Sequence, residues 1–502
     1  MAETVNTETG VTAAETVTTT STQKTPKFPR GKALFGRMML MTDAEVIDAA
    51  NVVEELRKAF QFHAVNAAQI NYLFWYRRGK QPILDREKEI RPEICNKVVE
   101  NHAEEIVTFK DGYLLGEPLQ YVGRTKDQSL TDKIMVLNSY MVVEDKAAKD
   151  LDLAEWFHTC GTSYRMILPK RTVFEDDAPF SVFTLDPRFT FVVYYNGLGN
   201  RPMMGVKYVI RQNGKIVFSV YTDRWYFEIE DWKIIKAQPH ILGDIPIIEY
   251  PANNSRIGAF EIVLPILDAM NNVESNRMDG IEQFIQSIMK FVNADITEDD
   301  FLKLAQLGAI KIKSEQGQTA DVDYMTQELN QSQTQVTKDD LYTAVLTICG
   351  MPNRNGGTST SDTGAAVIMR DGWSAAESRA KKEEIIFKKS ENRFLRLALR
   401  FSEIYRSLGL RVSEVETRFT RRNYENIQLK SQVLTTMLQN PKIHPKLAFI
   451  HCGMFPDPDA AYEMSMEYAE EQEKKAEEKA KKLAQTKEGQ NEPGTGPQKE
   501  DR

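Results

Sequence analysis

The feature that most constrains this chain is the order of its hydrophobic periods downstream of Asn253-Asn254. Ile262, Val263, Ile266, Leu267, Met270, Val273, Ile281, Phe284, Ile285, Ile288, Met289 and Val292 keep one face apolar at helical spacing. At about 1.5 Å per residue that pattern predicts a helix approaching 45 Å. A small α+β unit follows: Thr297 and Asp300 resemble a capping box before Phe301 to Leu307, and two stretches, 309–313 and 320–325, read as strands. Helical spacing resumes from Thr337 to Cys349 and stops at Gly350 and Pro352. Two helices therefore flank an insertion. The run Asn353, Arg354, Asn355, Gly356, Gly357, Thr358, Ser359, Thr360 and Ser361 is too polar to bury a core and reads as a mobile loop. Asp362 or Thr363 then caps a very long helix through Trp373, Ile385, Phe394 and Phe401 to Gly409.

Upstream, apolar positions from Asp43 to Gly79 recur at helical spacing and end in Tyr72-Leu73-Phe74-Trp75-Tyr76 beside Arg77-Arg78. Such a cluster could stack bases, but with no second cluster nearby core packing is favoured about fourfold. Between Gly112 and Pro251 the texture changes to β-branched and aromatic runs: 164–168, 189–195, 206–211 and 216–221. Asn213-Gly214 between the last two predicts a two-residue hairpin with positive φ at both residues, hence an antiparallel sheet. Past Gly409, shorter helices are broken by Pro441 and Pro445, and Asp457-Pro458 opens a Glu/Lys/Ala helix to about Ala484 that reads as a solvated face. The first 27 residues and those from Gln485 onward read as disordered, with no secretory signal expected. The fold class is α+β, and 502 residues suffice for two or three cores.

A formal charge of −8 argues against a protein whose main task is gripping phosphates. Neither G-x-x-x-x-G-K-[ST] nor G-x-G-x-x-G occurs, so no motor is visible in the sequence. His63, His102, His158, His240, His444 and His451 are scattered, and Cys95, Cys160, Cys349 and Cys452 lack paired spacing; no metal or cofactor is expected, and the cysteines read as reduced thiols. The hydroxyls of 358–363 have no nucleophile elbow or adjacent base, and Asp186-Pro187-Arg188 is explained by turn geometry. No run of about 18 apolar residues occurs, so no membrane-spanning helix and no membrane partner are expected.

Several motifs carry a resemblance. Asn101-His102-Ala103-Glu104-Glu105-Ile106-Val107 followed by Gly112-Tyr113-Leu114-Leu115-Gly116-Glu117-Pro118-Leu119-Gln120-Tyr121 resembles a helix leading into a G-Y-x-x-G-x-P-x-x-Y strand in siphophage-type portal proteins. Gly161-Thr162-Ser163-Tyr164, Leu185-Asp186-Pro187-Arg188, Ile245-Pro246-Ile247-Ile248-Glu249-Tyr250, and Gly258 through Ile281-Glu282-Gln283-Phe284 are similar to further segments of that family, in the same order. The resemblance spans about Asp43 to Phe401.

It implies a multidomain portal fold: a disordered arm at 1–30, a helix-and-sheet wing at 31–257, stem helices at 258–293 and 336–350 around a clip at 294–335, a tunnel loop at 351–362, a long wing helix at 363–410, a helical crown at 411–485 and a disordered tail at 486–502. It further implies a channel face of Asp268, Glu274, Asp279, Glu282, Lys338 and Asp339, and clip docking residues Glu298, Asp299, Lys303, Lys311, Lys313, Asp321 and Asp323. The implied partners are further copies in a ring of twelve, double-stranded DNA in the channel, the large terminase ATPase, head-tail connector proteins, and the major capsid and scaffolding proteins. The implied place is the virion's portal vertex, with host cytoplasm during assembly. Three readings stand against it, one of them a cytosolic binding module, which would require neither symmetric assembly nor a long helix leading out of a polar loop. Another virion structural protein would share the size and acidity. A nucleic-acid-processing enzyme would need clustered carboxylates or a phosphate loop.

Overall fold

The computed structural model describes residues 36–125, 127–170, 174, 177–285, 288–292, 321–325, 331–353, 372–421, 427–455 and 458–488. The N-terminal arm, the tail beyond Glu488, the capping box at Thr297 and Asp300, the strand at 309–313 and the cap at Asp362 or Thr363 lie outside them, while residues 485–488, expected to be disordered, are the end of a helix. The chain divides into two units, the first comprising Met1–Asn355 with Gly372–Arg421, the second Gly356–Asp371 with Arg422–Arg502.

In the first unit, strand β1 (Leu40–Thr42) precedes helix α1 (Val52–Arg77). Periodicity placed the start of this helix near Asp43, but residues 43–51 form turns. The Asn51 side chain accepts from the Asp48 N–H at 2.9 Å, and Asp48 accepts from Ala50 N–H at 2.9 Å, the competition between short polar side chains and the helical ladder expected of Asx residues. Helices α2 (His102–Leu115), α3 (Gln128–Val143) and α4 (Lys146–Cys160) follow, with strand β2 (Gln120–Gly123) after α2. Most of the stretch before residue 160 is thus helical, where a strand texture was expected from Gly112 onward.

Strands β3 (Thr162–Pro169), β4 (Phe180–Leu185), β5 (Thr190–Tyr195), β6 (Pro202–Ile210), β7 (Ile216–Tyr221), β8 (Trp225–Glu230), β9 (Lys233–Pro239) and β10 (Ile247–Pro251) build two sheets. One is six-stranded in the order β1-β5-β6-β7-β8-β9, antiparallel except for the parallel β1–β5 pair; the other is β10-β3-β4. The 213–214 hairpin exists but not with the expected turn. The Gly214 N–H donates to the Arg211 carbonyl at 2.9 Å, and of the two central residues only Gly214 has positive φ, at 78°. The loop therefore runs 211–215, with Lys215 N–H donating to the Asn213 side chain at 3.0 Å.

Helix α5 (Leu264–Ile285) is followed by strands β11 (Ile288–Val292) and β12 (Asp321–Met325), antiparallel to each other, then by helix α6 (Gln331–Cys349). The periodicity had carried α5 to Val292; the structure ends it at Ile285, about 33 Å long at 1.5 Å per residue. Its last apolar residues instead enter a strand, because Ile288-Met289-Lys290-Phe291-Val292 suits a pleated surface as well as a helix face. Helix α7 (Trp373–Arg406) and strand β13 (Val415–Arg418), which pairs with β2, complete the unit.

Among the described residues four buried cores hold it, the smallest around Met166, Val192 and Ile247. α3, α4, β3 and α7 enclose one around Phe157, Phe180 and Phe394. A second joins Tyr76 and Val107 to Phe260, Leu267 and Leu346. A third lies between α1 and the six-stranded sheet, around Leu56, Phe191 and Phe227. The aromatic-basic cluster at the end of α1 belongs to the second: Tyr72, Leu73 and Tyr76 are buried, and Arg77 is paired with Glu104 and Glu155. The core reading is the one the structure adopts.

The second unit contains helices α8 (Ile427–Leu438), α9 (Pro445–Cys452) and α10 (Pro458–Glu488). His444 caps α9 by accepting from the Lys446 N–H, and Phe449 packs on Phe455 and Tyr462. α10 begins at Pro458 as expected and is exposed along most of its length.

Candidate functional site

Helices α5 and α6 form an antiparallel hairpin. Glu274 meets Lys338 at 3.2 Å and Arg277 donates to Gln335 at 3.0 Å, so rising numbers on one helix meet falling numbers on the other. The small β11–β12 sheet continues from the end of α5, and the opposite end of the hairpin is rooted in the second core through Leu264, Leu267, Val345 and Leu346.

The carboxylates expected along this hairpin are each engaged by the same chain. Asp268 accepts from the Tyr76 hydroxyl at 2.9 Å, and burial raises its pKa above the ordinary carboxylate value. Glu274 is held by Lys338 and Arg277. Asp279, expected on a polar face, is only 3% exposed: segment 86–97 folds over it, bringing Arg86, Lys88 and the Asn96 N–H, the last at 2.7 Å. Burial works to raise the Asp279 pKa, but the Lys88 ammonium and the Asn96 donors outweigh it and hold the group below its usual value. Glu282 accepts from the Asn96 amide at 3.0 Å.

Lys338 bridges Glu100 and Glu274; burial opposes its charge, and the two carboxylates more than restore it, raising its pKa. Asp339 is exposed and accepts from Gln335 at 2.8 Å. Segment 86–100, which sequence reasoning did not single out, supplies partners to Asp279, Glu282 and Lys338. The signal for it was present in Arg86 and Lys88, two cations that meet Asp279 of an acid-rich helix.

Of the loop expected at 353–361, Asn353 is described; Arg354, Asn355, Gly356, Gly357, Thr358, Ser359, Thr360 and Ser361 lie outside the described residues. Its two flanks adjoin. A Cβ added to Gly372 would lie 3.7 Å from the Met351 carbonyl oxygen and 3.9 Å from Pro352 Cα. Arg379 of α7 donates to the Ile348 carbonyl at the last turn of α6, at 2.5 Å. Of the expected docking residues, Asp321 and Asp323 fall in β12, while Glu298, Asp299, Lys303, Lys311 and Lys313 lie outside the described residues.

Two buried charge clusters went unforeseen. Lys146 and Asp150 on α4, Arg165 on β3 and Glu391 on α7 form one, closed by Tyr121 and Tyr250 hydroxyls donating to Glu391. In the other, His158 lies between Asp111 of α2 at 2.6 Å and Glu383 of α7 at 3.3 Å. Only the i,i+4 spacing of Lys146 and Asp150 was legible beforehand. The Asp186-Pro187-Arg188 segment is a turn: Phe189 N–H donates to the Asp186 carbonyl at 3.1 Å, and Arg188 folds back on Asp186. All four cysteines are free thiols.

These features define a class: an α+β protein organised on a helical hairpin that ends in a small sheet and roots in an apolar core. A family profile described as "Phage portal protein, SPP1 Gp6-like" matches residues 60–483, and the chain belongs to that portal family. Solved structures titled "Neck of empty GTA particle computed with C6 symmetry" and "Neck of native GTA particle computed with C12 symmetry" are similar to it, with TM-scores of 0.43 and 0.39. Each is 10% identical and aligns over 70% of this chain and 90% of its own. No curated protein matches.

Proposed function

We propose that this portal-family chain closes into a ring at one capsid vertex, and that double-stranded DNA crosses the central channel during packaging and ejection. The observation that carries this reading is the antiparallel α5–α6 hairpin with the β11–β12 sheet at one end. Such a hairpin presents a narrow, rigid wall when copies are set side by side, and its far end is free to meet other components. In this reading α5 and α6 are the stem, β11, β12 and residues between them the clip, and 351–362 the tunnel loop.

The clip is the docking place for the terminase motor during packaging and for head-tail connector proteins afterwards. ATP hydrolysis comes from that motor, since this chain has no phosphate loop. Because Glu274 and Asp279 are paired with cations within the subunit and Asp268 is half-buried under the Tyr76 hydroxyl, the exposed Asp339 and the net charge of −8 supply the repulsion that lets phosphates slide past. Twelve subunits, the major capsid and scaffolding proteins as neighbours, and assembly in host cytoplasm complete the proposal.

Native mass measurement and negative-stain imaging of the purified chain test it. Closed rings with a central hole are expected; monomers at high concentration would overturn it.

A further inference from the structure

We propose that, within the ring of the preceding reading, the tip of the β5–β6 hairpin of one copy docks into the groove between α3, α4 and β2 of its neighbour, with Leu198 as the anchor. The tip is 196–200, and Leu198 at its apex is 104% exposed. A singly exposed leucine is ordinary on a protein surface, but this one is held out by a rigid support. Tyr195 N–H donates to the Arg201 carbonyl at 2.8 Å and Asn200 N–H to the Gly197 carbonyl at 3.2 Å. The Asn196 N–H and side chain bind the Thr42 carbonyl and Asp43 at 2.8 and 2.9 Å. Gly199 at φ 87° and Asn200 at φ 42° set the reversal, and any side chain at Gly197 would strike the Tyr195 ring. A knob fixed in this way loses little conformational entropy on docking.

The groove has a volume of about 670 Å³, and its lining is mostly apolar, with Leu119, Val122, Met141 and Val142 on the walls. Val142 is 76% exposed, and Lys146 and Asp150 of the buried charge cluster form the floor. Its size accepts a whole hairpin tip rather than one side chain. The rim carries Asp145, exposed and held at φ 50°; the foot of the hairpin carries the exposed Arg201, of opposite charge.

Knob and groove cannot be read as one packed feature of a single copy. The hairpin grows from the sheet of the core shared with α1, whereas the groove borders the core around Phe157 and Phe394. Two different, complementary patches on one subunit are what a head-to-tail contact requires, and such contacts close into rings when the rotation between copies closes.

The test is a cysteine pair, Leu198→Cys with Val142→Cys, in a Cys95→Ser background, since the other native thiols are buried. Under mild oxidation the double variant is expected to give a covalent ladder of multimers, and neither single variant should. Leu198→Asp should lower the ring fraction at least tenfold, and Leu198→Met should preserve it. Rings without a ladder, or a crosslink confined to single chains, would overturn this contact while leaving the ring reading intact. Absence of rings in the unmodified chain would overturn the ring reading and this contact together.

Discussion

Arg165 of β3 and Glu391 of α7 meet at 3.2 Å with both side chains at 0% exposure, 226 residues apart in the chain. Lys146 joins Glu391 at 2.9 Å and Asp150 joins both cations, so two positive and two negative groups share one buried site. Glu391→Leu would leave two cations with a single carboxylate. Removing one partner of a buried pair costs about 3–5 kcal/mol, so denaturant unfolding of this variant should show a loss of that size. The double variant Arg165→Met, Glu391→Leu should recover a large part of it, because well-packed apolar groups can replace buried ions. A double variant as unstable as the single would contradict the ionic account.

His158 supplies a pH signature. Burial disfavours its charged form, but Asp111 and Glu383 outweigh that and raise its pKa; Glu383 is correspondingly lowered to about 2, with His158 and Lys110 overcoming its own burial. A raised imidazole stabilises the fold fully below the unfolded value of about 6.5 and loses the effect as pH rises through the folded value. A depressed carboxylate stabilises above about 4.5 and loses the effect as pH falls toward its folded value. The melting-temperature gap between wild type and His158→Gln should therefore be widest between about pH 4.5 and 6.5 and shrink at alkaline pH. A gap that grows with pH would show that His158 is buried uncharged.

Arg379 fastens the end of α6 to the start of α7. It donates to the Ile348 carbonyl and crosses Gly350, where φ is 67° and a Cβ would lie 2.4 Å from the Arg379 Cδ. Arg379→Ala removes a charged donor from the last turn, worth about 1 kcal/mol. Hydrogen exchange at the amides of 346–351 should accelerate about fivefold while the six-stranded sheet is unchanged. Uniform acceleration across the unit would place the effect elsewhere.

Deletion of Asn353 to Thr360 tests the tunnel-loop assignment. The segment's flanks already adjoin at Pro352 and Gly372, so global stability should change by no more than about 0.5 kcal/mol. Rings should persist in negative stain, and packaged DNA per particle should fall. Loss of the rings would mean that this segment builds the interface instead.

The parts of this fold that a sequence reader could see are those written in local period. The strand runs at 164–168, 189–195, 206–211 and 216–221, the α6 stop at Gly350 and the start of α10 at Pro458 all lie where apolar spacing and turn residues put them. Helix α3 was legible too, through Leu130, Ile134, Leu137 and Met141 at three- and four-residue steps, but the β-branched texture downstream hid it. β1 and β13 are three and four residues long and exist only through their partners β5 and β2, so no local signal marks them. The same limit applies to the hairpin's carboxylates. Their positions follow from helical spacing, whereas the cover over Asp279 depends on segment 86–97, nearly two hundred residues earlier.

The buried charge cluster also constrains the chain's synthesis. Lys146, Asp150 and Arg165 leave the ribosome long before Glu391, and the 226 residues between Arg165 and Glu391 take roughly 10–45 s at typical elongation rates of about 5–20 residues per second. During that interval two cations face one carboxylate, a combination that cannot be dehydrated without penalty, so this core stays wet and open while the rest of the chain emerges. The arrival of α7 both neutralises and seals it. A nascent chain cut short before Glu391 is thus denied its first core, and truncated products are left as substrates for proteases rather than as subunits able to enter an assembly.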